Sequence, residues 1–389
     1  MWGFMYRVAE RSKDSWSQSE VISVPNQRKL IILGIRGIPA AHGGFETFAE
    51  RLALWMRDAG WQVTVYCQGS ETGKREESTW EGIHRIHIPV KLDNAAGTIE
   101  FDYKSTKDAL TQPGVILTLG YNTGFLSTWV RLKGRTNYIN MDGLEWKRAK
   151  YAFGPKAFLW LNERLAAMSG TKLIADHPAI ADHLATRTRR DRITVIPYGA
   201  PDITQADRGA LEPIGLADTD FFTVIARPEP ENSVLEIVSA FSEKPRGCKL
   251  AVLGRYSETV PYQAEVLAAA GSEVVFTGPI YDSPTVSALR FYSLAYLHGH
   301  QVGGTNPSLV EALGAGNAVI AHDNPFNRWV AGEAGLYFAD QKSCAAHIGR
   351  IVEDADLRRT LGAAARARWA DGLTWPDILT SYQTLLEGE

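Results

Sequence analysis

Apolar runs of four to seven residues alternate along this chain with longer stretches in which apolar residues recur every three or four positions. Runs at 29–35, 62–67, 115–119, 136–140, 172–175 and 192–196 read as strands, and a second series follows at 221–226, 249–253, 273–276, 294–297 and 318–321. Strands of this length without polar alternation fit parallel sheets buried on both faces, with the helical stretches as crossovers. Between the first two runs, residues 45–59 place Phe48, Leu52 and Trp55 at helical spacing. The two series are separated by Pro197-Tyr198-Gly199-Ala200-Pro201 and a polar stretch to Asp220, with turn residues and no sustained period.

The pattern therefore predicts an α/β chain of two Rossmann-like, doubly wound domains facing a cleft. They are expected over 28–200 and 221–370, joined by a linker over 201–220. Residues 1–27 are expected to be a poorly ordered extension, and 371–389 a helix that packs back on the first domain. Ligands of doubly wound sheets sit at the carboxyl ends of the strands, where Gly34, Gly120, Asp142, Arg227 and His298 fall.

Composition narrows this picture rather than changing it. A chain of 389 residues exceeds one ordinary core, and its 45% hydrophobic and 22% charged fractions are those of globular proteins. No run approaches the roughly 20 apolar residues a membrane span requires. Residues 1–27 lack the apolar stretch of a signal peptide, so export is not expected. Cys67, Cys248 and Cys344 are odd in number and widely spaced, which argues against a disulfide framework and a zinc site and for core thiols in a reducing cytoplasm. The net charge of −3 hides an asymmetry: residues 1–200 carry 27 Lys and Arg against 20 Asp and Glu, and residues 201–389 carry 14 against 24. Either the first half faces something anionic, such as a membrane surface, or solvated charge falls unevenly.

The densest chemistry lies in His298-Gly299-His300-Gln301-Val302-Gly303-Gly304-Thr305-Asn306-Pro307-Ser308-Leu309-Val310-Glu311, a glycine-rich loop running into a helix. A helix start presents unpaired N–H groups to anions, and glycines admit a diphosphate to them. A second glycine loop, 34–46, carries Gly43 and Gly44 at a helix start, where phosphate approach and a plain tight turn are equally good readings. It is not a dinucleotide fingerprint: the spacing is wrong and the next strand ends in Gln68 rather than an acid, so NAD is disfavoured. His298 and His300 have no third ligand nearby in sequence and read best as hydrogen-bonded loop residues. The only D-x-D, Asp218-Thr219-Asp220, precedes a strand, so neither a metal nor a cofactor is expected.

With the first loop, Asn140-Met141-Asp142-Gly143-Leu144-Glu145-Trp146-Lys147-Arg148, Ala226-Arg227-Pro228-Glu229-Pro230-Glu231-Asn232 and the 298–312 segment in this order, the chain resembles family-four retaining glycosyltransferases of the GT-B fold over nearly all of 29–387, and within them a bacterial rhamnosyltransferase-like branch. The resemblance implies transfer of a hexose, rhamnose in that branch, from a dTDP- or UDP-sugar to a growing, lipid-linked surface polysaccharide, by a cytoplasmic enzyme resting on the inner face of the membrane. Glu311 matches the second glutamate of the Glu-x7-Glu element, which holds the donor ribose; the first glutamate falls on Gly303, so sugar recognition passes to Gly304, Thr305 and Asn306. Arg227 matches the arginine that grips the diphosphate, a role its fork suits, although an ion pair to Glu229 or Glu231 is the alternative. The family's following lysine is replaced by Asn232, and Arg255 could supply the missing charge. Ser308 at the helix start completes the donor set with Gly43 and Gly44. Asp142 and Glu145 are expected at the reacting centre, with a plain Asp-Gly turn as the alternative for Asp142, and His42, Glu46, Tyr121 and Asn122 on the acceptor side.

Residues 146–160 interleave cations and aromatics, which fits docking on anionic lipid or an ordinary amphipathic helix; nucleic acid has no further support. A nucleotide-sugar epimerase and a non-catalytic sugar-nucleotide-binding protein share the expected architecture.

Overall fold

The computed structural model describes residues 28–41, 43–69, 73–148 and 150–388. The extension expected over 1–27 lies outside the described residues. The first domain holds β1 (Lys29–Leu33), α1 (Gly43–Asp58), β2 (Gln62–Gly69), β3 (Glu76–Trp80), β4 (Ile83–Pro89), α2 (Ala95–Ala109), β5 (Val115–Leu119), α3 (Phe125–Leu132), β6 (Asn137–Asn140), α4 (Phe153–Ser169), β7 (Lys172–Ala175), α5 (Pro178–Ala185) and β8 (Ile193–Val195). Its sheet runs β3-β4-β2-β1-β5-β6-β7-β8, parallel except for β3. Successive residues of a strand point to opposite faces. In β1, Leu30 and Ile32 accordingly join Phe48 and Leu52 of α1, while Ile31 and Leu33 join Phe101 of α2 and Val130 of α3. This is why the strand reads as one continuous apolar run.

The second domain holds β9 (Phe221–Ile225), α6 (Val234–Ser242), β10 (Lys249–Leu253), α7 (Pro261–Ala268), β11 (Val274–Gly278), α8 (Ser283–Phe291), β12 (Tyr296–His298), α9 (Pro307–Gly314), β13 (Val319–His322), α10 (Pro325–Ala331), β14 (Gly335–Phe338), α11 (Gln341–Glu353) and α12 (Ala355–Ala370). Its sheet is parallel, in the order β11-β10-β9-β12-β13-β14. The last helix, α13 (Trp375–Glu387), sends Trp375, Ile378, Leu379 and Tyr382 into the core of the first domain. Tyr382 stacks at a tilt on Phe48, ring centroids 4.6 Å apart, and Nδ2 of Asn140 donates to its hydroxyl at 2.7 Å. The chain thus crosses between the domains twice, and the crossings are bonded to each other: Ala200 N–H donates to the Leu373 carbonyl (3.0 Å) and Trp369 Nε1 to the Ala200 carbonyl (3.1 Å).

Three elements depart from the sequence expectation. The β3–β4 hairpin went unread because its edge strand is mostly polar and exposed; Glu81 and Gly82, both at positive φ (49° and 77°), form its two-residue turn. Strand β14 also went unread. Within 201–220, a 3₁₀ segment at Arg208–Ile214 buries Leu211, with Leu216 beyond it, against Leu289 of α8, so much of this stretch belongs to the second domain. No helix among the described residues is long and apolar enough to cross a membrane.

Candidate functional site

Each sheet reverses its strand order once, between β1 and β5 in the first domain and between β9 and β12 in the second. Loops at such reversals splay apart and leave a crevice at the strand ends. Here the two crevices open onto one interdomain cleft, in which Gly34, Gly120, Asn122, Asp142, Glu145 and Asp176 face Arg227, Thr305 and Asn306.

On the second domain, Arg227 leaves β9 and its carbonyl accepts from the Glu229 N–H (2.8 Å) and from Nδ2 of Asn232 (2.9 Å). Asn232 is buried and committed to this bond, so it shapes the arginine's loop. A Cβ at Gly299 would lie 2.0 Å from the Asn232 carbonyl oxygen, which makes glycine necessary where the two loops touch. Among the described residues Arg227 makes no ion pair. Arg148, from the opposite domain, reaches Glu231 at 3.6 Å and Glu145 at 2.6 Å.

The start of α9 requires a correction. It was expected to offer free N–H groups, but Pro307 has none and Ser308 N–H donates to Oδ1 of Asn306, the N-cap, at 3.0 Å. Ser308 Oγ is also engaged, with the Tyr296 hydroxyl (2.7 Å) and Nη2 of Arg290 (3.3 Å). Cationic side chains must therefore carry more of any phosphate recognition. Arg227 and Arg255 both line a groove of about 730 Å³ that also holds Gly43, Gly44, Tyr281, Asn306 and Glu311, a volume in the range of small-molecule sites. Glu311 is oriented by an ion pair with Arg290, which is only 5% exposed. Sequence offered no sign of Arg290, since one arginine in a helix reads as surface until its burial is known.

On the first domain, Asp142 follows β6 at φ 52°, its N–H donating to Oδ1 of Asn140 at 3.0 Å. A non-glycine residue held there is strained, a condition concentrated at functional sites. Burial raises its carboxyl above the ordinary range against the pull of a backbone N–H, Arg148 and Arg227; burial and the Asp142 charge raise Glu145 against Arg148. Tyr121 is reassigned. Expected on the acceptor side, it is 2% exposed, its hydroxyl donating to the Gly143 carbonyl (3.1 Å) and accepting from Glu145 N–H (2.8 Å), so it supports the 142–145 loop from below.

Asp176, at the end of β7, was missed altogether. Its Oδ2 accepts from Thr305 N–H at 2.9 Å and its carbonyl from the Thr305 hydroxyl, joining the two domains, and Oδ1 has no partner among the described residues. A Cβ at Gly304 would sit 2.0 Å from that oxygen, so glycine is needed for the contact. Burial first, and then the Asp142 charge, raise this carboxyl from 3.8 to about 7. The folded protein therefore holds the proton more tightly than the unfolded chain; the contribution is fully present below about pH 4 and is lost as pH rises through 7. Between pH 5 and 8 the wild-type Tm is expected to fall relative to Asp176→Asn by on the order of 5 °C. Parallel Tm profiles in calorimetry would contradict this.

His298 and His300 stack face to face, centroids 4.3 Å apart and 11° between planes. The hydrogen-bonded reading is corrected: among the described residues neither ring nitrogen of His298 has a partner, nor has Nδ1 of His300. Burial drives both well below the usual histidine range, His300 to about 3 with help from Arg148 and Arg227, so both rings are neutral. Among the described residues no group of three or more His, Cys, Asp or Glu is placed to hold a metal.

Of the remaining expected residues, Gly43 and Gly44 lie across the groove from α9, a Cβ on Gly44 meeting Pro307 at 3.3 Å. Gly303 lines the cleft at φ 142° with nothing among the described residues within 4 Å of an added Cβ. Glu46 turns away from the groove and accepts from Arg36 N–H at 3.2 Å. His42 lies outside the described residues.

A family model described as a domain of unknown function, DUF1972, matches residues 27–201. No match was found among curated proteins. Solved structures are similar over 93% of the chain. Sucrose-phosphate synthase from Thermosynechococcus elongatus has a TM-score of 0.79 at 18% identity over 98% of its length. Anabaena HepE in complex with UDP and glucose has 0.72 at 15% over its whole length. WaaG, a glycosyltransferase involved in lipopolysaccharide biosynthesis, has 0.71 at 17% over its whole length. The chain has the GT-B fold.

Proposed function

We propose that the chain is a glycosyltransferase that moves a hexose, rhamnose in the branch it resembles, with retention from a dTDP- or UDP-sugar to a growing, lipid-linked cell-surface polysaccharide. The observation that carries the reading is the groove at the β9/β12 reversal, where Arg227 and Arg255 stand with the Arg290-oriented carboxylate of Glu311. A carboxylate held this way suits two ribose hydroxyls, and paired guanidinium groups suit a diphosphate. The similarity to HepE bound to UDP and glucose supports a nucleotide-sugar donor. Cleaving the anomeric C–O bond places negative charge on the diphosphate, and Arg227 stabilises that charge where it develops. The acceptor proton passes to a donor phosphate oxygen, while Asp142 and Glu145 orient the acceptor. Open space at Gly303 leaves the donor sugar to Gly304, Thr305 and Asn306.

Peripheral membrane contact is part of the proposal in revised form. Within the 146–160 stretch, Trp146 Nε1 donates to Glu163 at 2.6 Å and Arg148 enters the cleft, so neither faces lipid. Phe153, Phe158, Leu161 and Met168 are exposed on α4, as is Leu132 of α3, with Lys147 and Lys150 exposed just before α4. Exposed apolar side chains with lysines nearby in the chain suit an anionic membrane surface.

Incubating the protein with dTDP- and UDP-sugars and lipid-linked oligosaccharide in anionic vesicles tests both parts. Release of one nucleoside diphosphate with extension of the lipid-borne glycan is expected. Donor conversion without acceptor points to an epimerase, and binding without release to a non-catalytic protein; either overturns the reading.

A further inference from the structure

The β1/β5 reversal holds a second cavity that the donor reading does not use. It is a chamber of about 110 Å³ between the ends of β1 and β5 and the helices α2 and α3, sharing Gly34, Leu119, Gly120 and Asn122 with the main cleft. Gly34 sits at φ 87°, and a Cβ there would lie 2.2 Å from the Leu119 carbonyl oxygen, so glycine is needed where β1 and β5 end side by side at the mouth. The volume holds several waters or the ring of one pyranose.

Its lining is unlike a core void. Ser105 is 1% exposed and its hydroxyl has no partner among the described residues. Beside it in the lining lies Asp102, whose Oδ2 accepts from the Thr123 hydroxyl at 2.8 Å, leaving further acceptor capacity. Burial raises this carboxyl to about 6. Phe101, Leu126 and Val130 form apolar wall. Buried polar groups in native proteins are nearly always paired, so a lone buried hydroxyl next to a desolvated carboxylate marks a place where a ligand supplies the partners. Several hydroxyls on an apolar C–H face is the chemistry of a sugar. An anion is disfavoured, because Asp102 and Glu46 both line the chamber and its one arginine, Arg36, is paired with Asp93 at 3.2 Å.

We propose that this chamber is a recognition subsite for one neutral sugar residue of the acceptor, bound through hydroxyl hydrogen bonds to Asp102 and Ser105 while the adjoining part of the acceptor lies in the cleft. The proposal rests on the glycosyltransferase reading for the word acceptor, but the binding itself does not depend on it. It adds two residues on the acceptor side that no motif marks.

The test is saturation-transfer NMR on the full chain with free glucose, galactose, N-acetylglucosamine and rhamnose, recorded with UDP or dTDP present as a report on the donor groove. At least one hexose is expected to bind, with affinity reduced about 10-fold in Asp102→Asn, the effect of losing one charge-assisted hydrogen bond. Ser105→Ala should weaken the same hexose while leaving Tm close to the wild-type value, because no protein group among the described residues pairs with the hydroxyl it deletes. Nucleotide signals should be the same in all three proteins. No hexose signal in the wild type, or equal signals in wild type and both variants, overturns the chamber whatever the nucleotides do. Hexose binding that responds to both variants with no nucleotide bound sustains the chamber and sinks the donor reading instead.

Discussion

Arg227→Ala is expected to lower the rate of donor cleavage by about 10²–10³-fold, the usual cost of deleting one group that stabilises transition-state charge. The side chain lines the groove and the cleft and makes no ion pair among the described residues. Its loop should survive the substitution, since the bonds that pin it run to the Arg227 carbonyl from the Glu229 N–H and from Asn232. Tm should therefore stay close to the wild-type value while kcat falls. Arg227→Lys keeps the charge and loses the fork, so an intermediate rate is expected. Initial rates of nucleoside diphosphate release at saturating donor decide the matter; a loss of less than threefold for the alanine variant would remove Arg227 from the chemistry.

Glu311→Ala is expected to weaken nucleoside diphosphate binding by about 10–150-fold, the worth of a hydrogen-bond pair to a charged group. It acts on stability as well. Arg290 is 5% exposed and, among the described residues, already has an unpartnered Nε, so removing Glu311 leaves a buried guanidinium with Ser308 as its remaining side-chain partner there. A loss of roughly 1–3 kcal/mol follows. Glu311→Gln separates the two effects, because an amide oxygen still accepts from Arg290 while the charge toward the ribose is gone. Stability should largely return in the glutamine variant, and affinity only in part.

Much of the fold was legible because it rests on apolar runs that alternate with amphipathic helices. The Leu30–Leu33 segment of β1 is buried on both faces, and burial on both faces is what an unbroken apolar run encodes. The β3–β4 hairpin escaped because β3 is an edge strand whose polar residues face solvent, leaving no period to read. That Arg227, Arg255 and Glu311 would share one groove was legible in outline, since each follows or opens an element in a recognisable pattern. What was not legible is how side chains are supported. Arg290 and Asp176 carry no local signature; one is known only by its burial against Glu311, the other by a contact to Thr305 from 129 residues away. Tyr121 shows the converse, because an aromatic residue at a strand end reads as a ligand contact until its hydroxyl is found between Gly143 and Glu145. The α9 start misled for a related reason: the Asn306 cap and Pro307 that announce a helix also consume or remove the N–H groups that an anion would use.

The central claim, that the β9/β12 groove is a nucleoside diphosphate site built on Glu311, is tested most directly by calorimetric titration of the wild-type protein and Glu311→Gln with UDP, dTDP, GDP, ADP and NAD. Selective binding of UDP or dTDP, clearly weakened in the variant though less than in Glu311→Ala, while its Tm stays near that of the wild type, is the predicted result. Binding of NAD alone, or nucleotide affinity unchanged by the substitution, would contradict the account.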